Sequence, residues 1–384
     1  MHLCMITEYF PESAAGEVRG GVEMRAFHCA RQLARHHQVT VLTSYAHGRA
    51  HVQTIDRVRV LRCGKLPYTH SGALLSRLRF AWSVLRSARL LAADPPDIVE
   101  GENFLCYLPT FALAKKFRAK SIAVYHESWI GSWIRHKGLI TGFFGSVWER
   151  FALRKPWDAM IAVSNITKHQ LVMNGIAPHR VTVVPNGVDP LNYPTPELIP
   201  TKYPRTTICC IARLTPEKHV DTIIRALVLL VPQHPDIQLK IIGVGAEEQF
   251  LRTLADTLEV SDRVEFLGFL PSHAAVVEVL ARSHLLCSAS TLEGFGIAIL
   301  EAMACGIPFV CSRIPAHEEI TQHGQGGMLF AAGNAEDLSE KVHFLLVHPK
   351  EYQKRSAQGR ARASHFSWSQ IGTQLEKKYL ELLA

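Results

Sequence analysis

No apolar run in this sequence approaches the ~18–20 residues that a membrane span requires. The longest candidates, such as residues 223–231, are broken by a charge or stop at a proline. The N-terminus also lacks the basic, apolar, small-residue layout of a secretory leader, since after Met1 the chain enters the strand-like stretch HLCMI directly. These two absences predict a soluble, cytoplasmic protein. Nine cysteines are present, but there is no C-x-x-C pair and no Cys/His cluster at zinc spacing. Cys4, Cys209, Cys210, Cys287 and Cys311 lie inside apolar runs and read as reduced core residues. No internal repeat of solenoid period and no low-complexity segment occurs. Gly243-Val244-Gly245 closes a strand candidate but lacks the third glycine of G-x-G-x-x-G, so the dinucleotide fingerprint is incomplete.

What is present points to more than one domain. A chain of 384 residues exceeds an ordinary single domain, and 47% hydrophobic with 20% charged residues is the balance of a folded protein rather than a disordered one. The net charge of +8 is unevenly spread. Residues 1–190 hold 24 Lys/Arg against 13 Asp/Glu, whereas residues 191–384 hold 18 against 21. A basic half attracts nucleic acid, anionic lipid or phosphorylated small molecules, and charge alone does not choose among them.

Short β-rich runs alternate with segments of helical period. Strands are predicted at 2–6, 38–43, 58–62, 97–100, 121–125, 159–163 and 181–184, then at 207–212, 238–242, 263–267, 284–288 and 308–311. Ile223, Ile224, Leu227, Val228 and Val231 share a helix face, as do Phe250, Leu251, Leu254 and Leu258. Apolar strands separated by helices imply parallel sheets covered on both faces. Six prolines between 185 and 204 interrupt the pattern and read as a linker. The expected class is therefore α/β, with two facing doubly wound, Rossmann-like parallel-sheet domains. The boundaries are 1–190 for the first domain and 191–366 for the second, followed by a final helix at 367–384. That helix has Ile371, Leu375 and Tyr379 on one face. Ligands of such sheets bind beyond the carboxyl ends of the strands, which places the predicted site in a cleft between the domains.

The loops at those strand ends carry the chemistry. In 288–311 a strand runs into Glu293-Gly294-Phe295-Gly296 ahead of a helix that contains Glu301. Free backbone N–H groups there favour a phosphate, and the two carboxylates suit hydroxyls on either side of it. Read singly, each glutamate is as well explained as a loop cap or a solvated helix residue. Arg213 and Lys218, five apart at a strand-to-helix turn, suit a diphosphate or are merely solvated charges. Arg19-Gly20-Gly21 before a helix with Phe27, Ala30 and Leu33 inward is an anion cradle or a tight turn. His126 ends strand 121–125, where a structural histidine is the plain alternative.

Taken in order, Gly20-Gly21, His126, PNGVD (185–189), ARLTPEK (212–218), the glycines at 243–245, FLGFL (266–270) and EGFGIAILEAMACGIP (293–308) resemble a known family. It is that of the retaining glycosyltransferases of family 4, glycosyl transferases group 1, which have the GT-B fold. The resemblance covers nearly the whole chain and is strongest over 160–335. It implies transfer of a hexose-type sugar from a nucleotide-diphosphate sugar to a hydroxyl acceptor. It also implies that Arg213 and Lys218 bind the donor diphosphate and that Glu301 binds the ribose. Glu293 would contact the donor sugar, and Gly294, Phe295 and Gly296 would offer backbone amides. Gly20 and Gly21 fall in the glycine loop over the diphosphate, His126 lies near the reaction centre, and Gly245, Phe269 and Leu270 lie on the donor side. The final helix would cross back onto the first domain. No D-x-D triad is present to hold Mg²⁺, so no metal and no cofactor is expected and the counter-charge falls to the protein. Two departures stand out: His219 follows Lys218 where the family usually has glycine, and 97–106 lacks a histidine often found there.

The basic half then suggests an acceptor. Arg79 and Arg86 flank a helix whose apolar face is read as Leu74, Leu75, Leu78, Trp82 and Leu85. Residues 128–155 interleave Trp129, Trp133, Phe143, Phe144 and Trp148 with Arg135, Lys137, Arg150, Arg154 and Lys155. Such faces suit an anionic membrane surface, and with it a lipid-linked or envelope-glycan precursor, although core packing with solvated charge gives the same pattern. A nucleotide-sugar 2-epimerase of similar fold and a non-catalytic nucleotide-sugar binder are the competing readings. A nucleic-acid module fits the basic half but not Glu293 and Glu301.

Overall fold

The computed structural model describes the chain except residues 15–19, 46–47, 49, 67–72, 135–137, 190–191, 196–197 and 199, and describes 73–75 by backbone alone. Arg19, Pro190, Pro196, Arg135, Lys137 and the side chains of Leu74 and Leu75 thus lie outside the described residues. Two compact units form: Met1–Asn186 with Trp368–Ala384, and Gly187–Ser367.

The first unit has strands β1 (His2–Ile6), β2 (Gln38–Tyr45), β3 (His51–Ile55), β4 (Val58–Lys65), β5 (Ile98–Gly101), β6 (Lys120–Tyr125), β7 (Ala159–Ala162) and β8 (Val181–Val183). They form one sheet in the order β3-β4-β2-β1-β5-β6-β7-β8. Helices α1 (Gly21–Leu33), α2 (Ala73–Ser87), α3 (Tyr107–Phe117), α4 (Leu139–Leu153) and α5 (Asn165–Met173) connect them. All neighbouring strands are parallel except β3 and β4. The all-parallel expectation is corrected at this edge. Asp56 and Arg57, with φ of 46° and 69°, make a two-residue turn that joins β3 to β4 as a hairpin. β3 is absent from the predicted strands because its sequence, HVQTI, is polar and mostly exposed.

The second unit has β9 (Thr207–Ile211), β10 (Gln238–Ile242), β11 (Val264–Gly268), β12 (Leu285–Ser288), β13 (Phe309–Ser312) and β14 (Gly327–Phe330). The sheet is parallel throughout, in the order β11-β10-β9-β12-β13-β14. Its helices are α6 (Val220–Leu230), α7 (Glu248–Thr257), α8 (His273–Arg282), α9 (Ile297–Cys305), α10 (Pro315–Thr321), α11 (Ala335–Val347) and α12 (Pro349–Ala363). β14 also escapes the sequence reading because it opens on glycine. A Cβ at Gly327 would stand 2.2 Å from the Phe309 carbonyl oxygen, so close strand packing requires glycine there.

Burial follows periodicity with specific exceptions. Phe27, Ala30 and Leu33 of α1 and Ile223, Ile224 and Leu227 of α6 are buried. On α7, Leu251 is buried but Phe250 is exposed, which corrects the expected face. On α2 the buried side chains are Phe80 and Val84, while Leu78 and Trp82 point outward. The apolar face read for that helix is therefore rotated. Ser164 and Ser272 cap α5 and α8, accepting from the backbone N–H groups of Thr167 and Ala275 at 3.0 and 3.2 Å. The final helix, α13 (Trp368–Leu383), packs in the first unit: Ile371, Leu375 and Tyr379 are buried, and Trp368 stacks on His28 of α1 at 5.0 Å. All nine cysteines are free thiols, and only Cys63 is incompletely buried.

Described residues of the proline-rich stretch are tied down at three points. The Pro185 carbonyl accepts from Arg25 at 2.7 Å within the first unit, and the Pro194 carbonyl accepts from Arg360 at 2.8 Å within the second. Lys202 Nζ donates to the carbonyls of Ala281 and Ser283 at 3.1 and 2.7 Å.

Candidate active site

In the second unit the strand order reverses between β9 and β12, and the carboxyl edge at such a switch point is where open parallel sheets bind ligands. The β9 loop contains Arg213 and Lys218, and the β12 loop contains Glu293 to Gly296. The structure brings the two loops together. The Thr291 N–H donates to the Glu217 carbonyl at 2.9 Å, Lys218 Nζ stands 2.6 Å from Glu293 Oε1, and Ser290 Oγ donates to that same oxygen at 2.9 Å. Burial alone would raise the Glu293 carboxyl, but the Lys218 charge and these hydrogen bonds outweigh it and hold it below its ordinary value. Arg213 is mostly exposed, its guanidinium 3.9 Å from the buried Glu217 carboxylate.

The β9 loop is shaped from below. A Cβ at Gly243 would meet the Ala212 carbonyl oxygen at 1.9 Å, and one at Gly245 would meet that of Leu214 at 2.1 Å. Gly245 therefore has a packing reason to be glycine, quite apart from any ligand. His219 adopts the left-handed conformation, φ 47°, where the family pattern has glycine, so the turn keeps its shape at some strain.

Gly294, Phe295 and Gly296 are buried, and Phe295 packs edge-on against Phe366 at 5.8 Å. Gly296, at φ 97°, opens α9 with no side-chain cap, so the first amide groups of that helix lack an intrahelical partner. Beside it lies His317, wholly buried and not singled out by sequence. Its Nδ1 is 2.8 Å from the Ser312 carbonyl, which can only accept, so Nδ1 carries the proton. Burial lowers the ring's affinity for a second proton, leaving Nε2 an acceptor with no partner among the described residues.

Glu301 lies in α9 and is also buried. His273, the first residue of α8, bonds to its Oε1 at 2.7 Å, and Tyr193 Oη stands 3.5 Å from the same imidazole nitrogen. Burial would depress His273, but the Glu301 hydrogen bond and charge prevail and raise it. Sequence reasoning missed His273, whose only local signal is the preceding cap serine. Phe269 is exposed and Leu270 half-buried on the loop leading to it from β11.

In the first unit the order reverses between β1 and β5. Gly20 caps α1 with extended backbone, and a Cβ there would meet nothing within 4 Å, so neither conformation nor packing demands glycine. Gly21 is the first residue of that helix. His126 follows β6, with Nε2 3.3 Å from Glu102 Oε2. Burial, reinforced by the Arg25 charge, pushes the imidazole down to about 3, so it is neutral at physiological pH. Glu102 is fully buried and pushed up to about 7 by that burial, against the pull of Arg25. Glu100, also buried, is raised further by the Glu102 charge and accepts a hydrogen bond from Tyr379. Arg25 is held by Pro185 and by Asn186 Oδ1 at 3.2 Å, giving the first two residues of PNGVD a structural task. Glu100, Glu102 and Arg25 were not picked out as site residues; the signal available was a pair of carboxylates in an otherwise apolar run.

Two doubly wound parallel sheets with paired charges at their switch points are the architecture of the GT-B glycosyltransferases, and solved structures bear this out. Sucrose-phosphate synthase from Thermosynechococcus elongatus is similar at a TM-score of 0.84, over 99% of this chain and 98% of its own, with 19% identity. Anabaena HepE, solved in complex with UDP-glucose, gives 0.77 over 99% and 100%, with 18% identity. In sequence, glycogen synthase of Mycobacterium tuberculosis is 27% identical over 99% of this chain and 94% of its own length. Residues 19–190 match the glycosyltransferase family 4 model, and residues 198–362 match that of glycosyl transferases group 1. The chain belongs to these glycosyltransferases and is a nucleotide-sugar glycosyltransferase of GT-B type.

Proposed function

We propose that the protein transfers a hexose-type sugar, with retention and without a metal, from a nucleotide-diphosphate sugar to a hydroxyl of a lipid-linked or envelope-glycan precursor. The observation that carries this reading is the convergence of the Arg213–Lys218 turn with the Glu293 loop at the switch point of the second unit. The HepE complex with UDP-glucose supports a nucleotide sugar as donor. In this reading Lys218 and Arg213 neutralise the charge that develops on the departing diphosphate, helped by the amide groups that open α9. Glu293 meets the sugar hydroxyls. Gly294, Phe295 and Gly296 present amides, Glu301 holds the ribose, and Phe269 with Leu270 lies against the base. Gly245 supports the diphosphate turn from below.

Gly20 and Gly21, which open α1, are assigned to the donor in the same reading, and neutral His126 has a hydrogen bond rather than a charge to offer. Glu293 Oε1 is engaged by Lys218 and Ser290, which favours a front-face displacement over attack by that carboxylate. The acceptor oxygen bonds to the anomeric carbon as the carbon–phosphate oxygen bond breaks, and the acceptor proton passes to the leaving phosphate. The basic balance of residues 1–190 supports an anionic membrane at the acceptor side.

A thermal-shift screen of UDP-, GDP- and ADP-sugars, followed by assay of donor hydrolysis and transfer, tests the proposal. Turnover should fall by at least about 10²-fold in Glu293→Ala and in Lys218→Ala and be insensitive to EDTA. Nucleotide-sugar binding with no turnover would identify a binder, and conversion of the sugar at C2 would identify an epimerase.

A further inference from the structure

Helix α4 has two unlike sides. On the inner one Gly142, Gly145 and Glu149 are buried. A Cβ at Gly142 would lie 2.6 Å from the Ile134 backbone, and one at Gly145 would lie 2.5 Å from the Trp133 ring, so the helix sits hard against residues 133–134. Glu149 is fully engaged there, accepting from Ser128 Oγ, the Trp129 N–H and Trp133 Nε1 at 3.1, 3.2 and 2.6 Å. The outer side carries Leu139, Ile140, Phe143, Phe144, Val147 and Phe151, each between 49% and 77% exposed. Glu149 is the only acidic residue of the helix, so nothing acidic faces outward among them. Scattered exposed apolar residues need no explanation, but six on one side of a 15-residue helix form a patch that marks an interaction surface.

The C-terminal end of the same helix borders a pocket of about 460 Å³ lined by Arg150, Arg154, Lys155 and Arg180. No carboxylate lines it among the described residues. Asp158, close in sequence, is turned away and accepts from the N–H and Oγ of Ser121 at 2.9 and 2.8 Å. The pocket lies in the loops that precede β7 and β8, at the opposite edge of the sheet from His126. Four cations around a pocket that no carboxylate lines among the described residues, with Glu149 beside Arg150 already engaged by Ser128, Trp129 and Trp133, suit a multiply oxygenated anion, a phosphate above all. Lys155 Nζ lies 3.8 Å from the centre of the Phe151 ring, so the basic pocket and the apolar patch are continuous.

We propose that the outer side of α4 and this pocket form one docking site for an anionic phospholipid surface. The apolar side chains enter the acyl boundary and the cations take a headgroup phosphate. A soluble anion would use the pocket but leave the six apolar side chains unexplained; a bilayer of anionic lipid accounts for both. The inference rests on the proposed membrane-bound acceptor, but it concerns residues remote from the transfer chemistry.

Flotation of the full chain with vesicles of phosphatidylcholine alone, or of phosphatidylcholine with one part in three phosphatidylglycerol, tests it. Binding should be confined to the anionic vesicles and weaken at high salt. Phe143→Ser/Phe144→Ser and Arg150→Glu/Arg154→Glu should each lower it by at least roughly 10-fold with an unchanged melting temperature. Equal binding to neutral vesicles, or variants that bind like the parent, would overturn the proposal. Binding of inorganic phosphate that Arg150→Glu/Arg154→Glu removes, without vesicle binding, would give the pocket to a soluble anion and overturn it too. So would a concentration-dependent dimer that Phe143→Ser/Phe144→Ser dissolves, again without vesicle binding. Flotation needs neither donor nor acceptor, whereas donor hydrolysis without vesicles reads the transferase alone, so the failure of one is distinguishable from the failure of the other.

Discussion

In the proposed reaction Lys218 is the residue on which donor chemistry most depends. It is nearly buried, and its partner Glu293 is held below the ordinary carboxylate range chiefly by its charge. Lys218→Met removes the partner of the Glu293 carboxylate and, in the proposed reaction, the counter-charge for the leaving group as well. Loss of one such transition-state contact lowers turnover by about 10²–10³-fold. Steady-state hydrolysis of the donor should show this chiefly in kcat. Stability should drop as well, because Glu293 is left without its cation. Two other residues write themselves into the pH dependence. Glu102 is raised to about 7 in the folded chain, so its contribution to stability is complete below the unfolded carboxylate value and is lost as pH rises through about 7. The melting temperature of the first unit should fall over that window, and Glu102→Gln should flatten the fall. His273 is also raised, so its pairing with Glu301 stabilises below the ordinary histidine value and fades at higher pH. An NMR titration of His273 should give a midpoint above about 6.5 that drops in Glu301→Gln.

At the scale of elements, the turn proposed to hold the diphosphate is only as well placed as the loop beneath it. Gly245 leaves no room for a side chain, its Cβ position lying 2.1 Å from the Leu214 carbonyl oxygen. Gly245→Ala must push residues 212–218 outward. Overpacking of this kind costs about 1–3 kcal/mol. Urea unfolding should register that cost in the second unit, and nucleoside diphosphate affinity should fall with it. Gly20→Ala is the contrasting case, since nothing lies within 4 Å of the added carbon. It should leave the melting temperature unchanged, so any loss of activity it causes would report on the donor rather than on the fold.

At the scale of the whole molecule, the chain returns to its first unit at the end. Ile371, Leu375 and Tyr379 are buried there, Tyr379 donates to the buried Glu100, and Gly372 meets Gln32 of α1 with no space for a Cβ. Removing residues 368–384 exposes the apolar face of α1 and leaves Glu100 without its donor. Full burial of even one such side chain is worth ~1.5–3 kcal/mol, which is a large part of a domain's ~5–15 kcal/mol. Limited proteolysis of the shortened chain should digest the first unit and leave a fragment close to 187–367 intact.

Most of the sheet was legible in the sequence because buried parallel strands are short apolar runs, and twelve of them stand where periodicity puts them. β3 and β14 were not, the first because an edge strand needs little apolar character and the second because its opening glycine answers to Phe309 rather than to strand propensity. The face of α2 was misread because Trp82 and Leu78 are apolar yet point outward. In the candidate site, Arg213, Lys218 and Glu293 in loops after strands and Glu301 in the helix that follows are legible only through the motifs taken together, since read singly each has a plain structural explanation. His273, His317 and Glu102 do not, since each matters through a partner at least five residues away in the chain and nothing local distinguishes it among 20 histidines or 34 acids.

The sequence alone thus determined the alternation of strands and helices, the two-part organisation and the family, because hydrophobic period and loop motifs are local properties of the chain. Only the tertiary structure decided that Lys218 faces Glu293, that Glu301 is held by His273 and that His126 is a neutral imidazole. It also decided that Phe143, Phe144 and Phe151 of α4 stand out beside a basic pocket that no carboxylate lines among the described residues. Those are matters of distance, burial and charge between segments far apart in the chain, and they take definite values only when the sheets assemble.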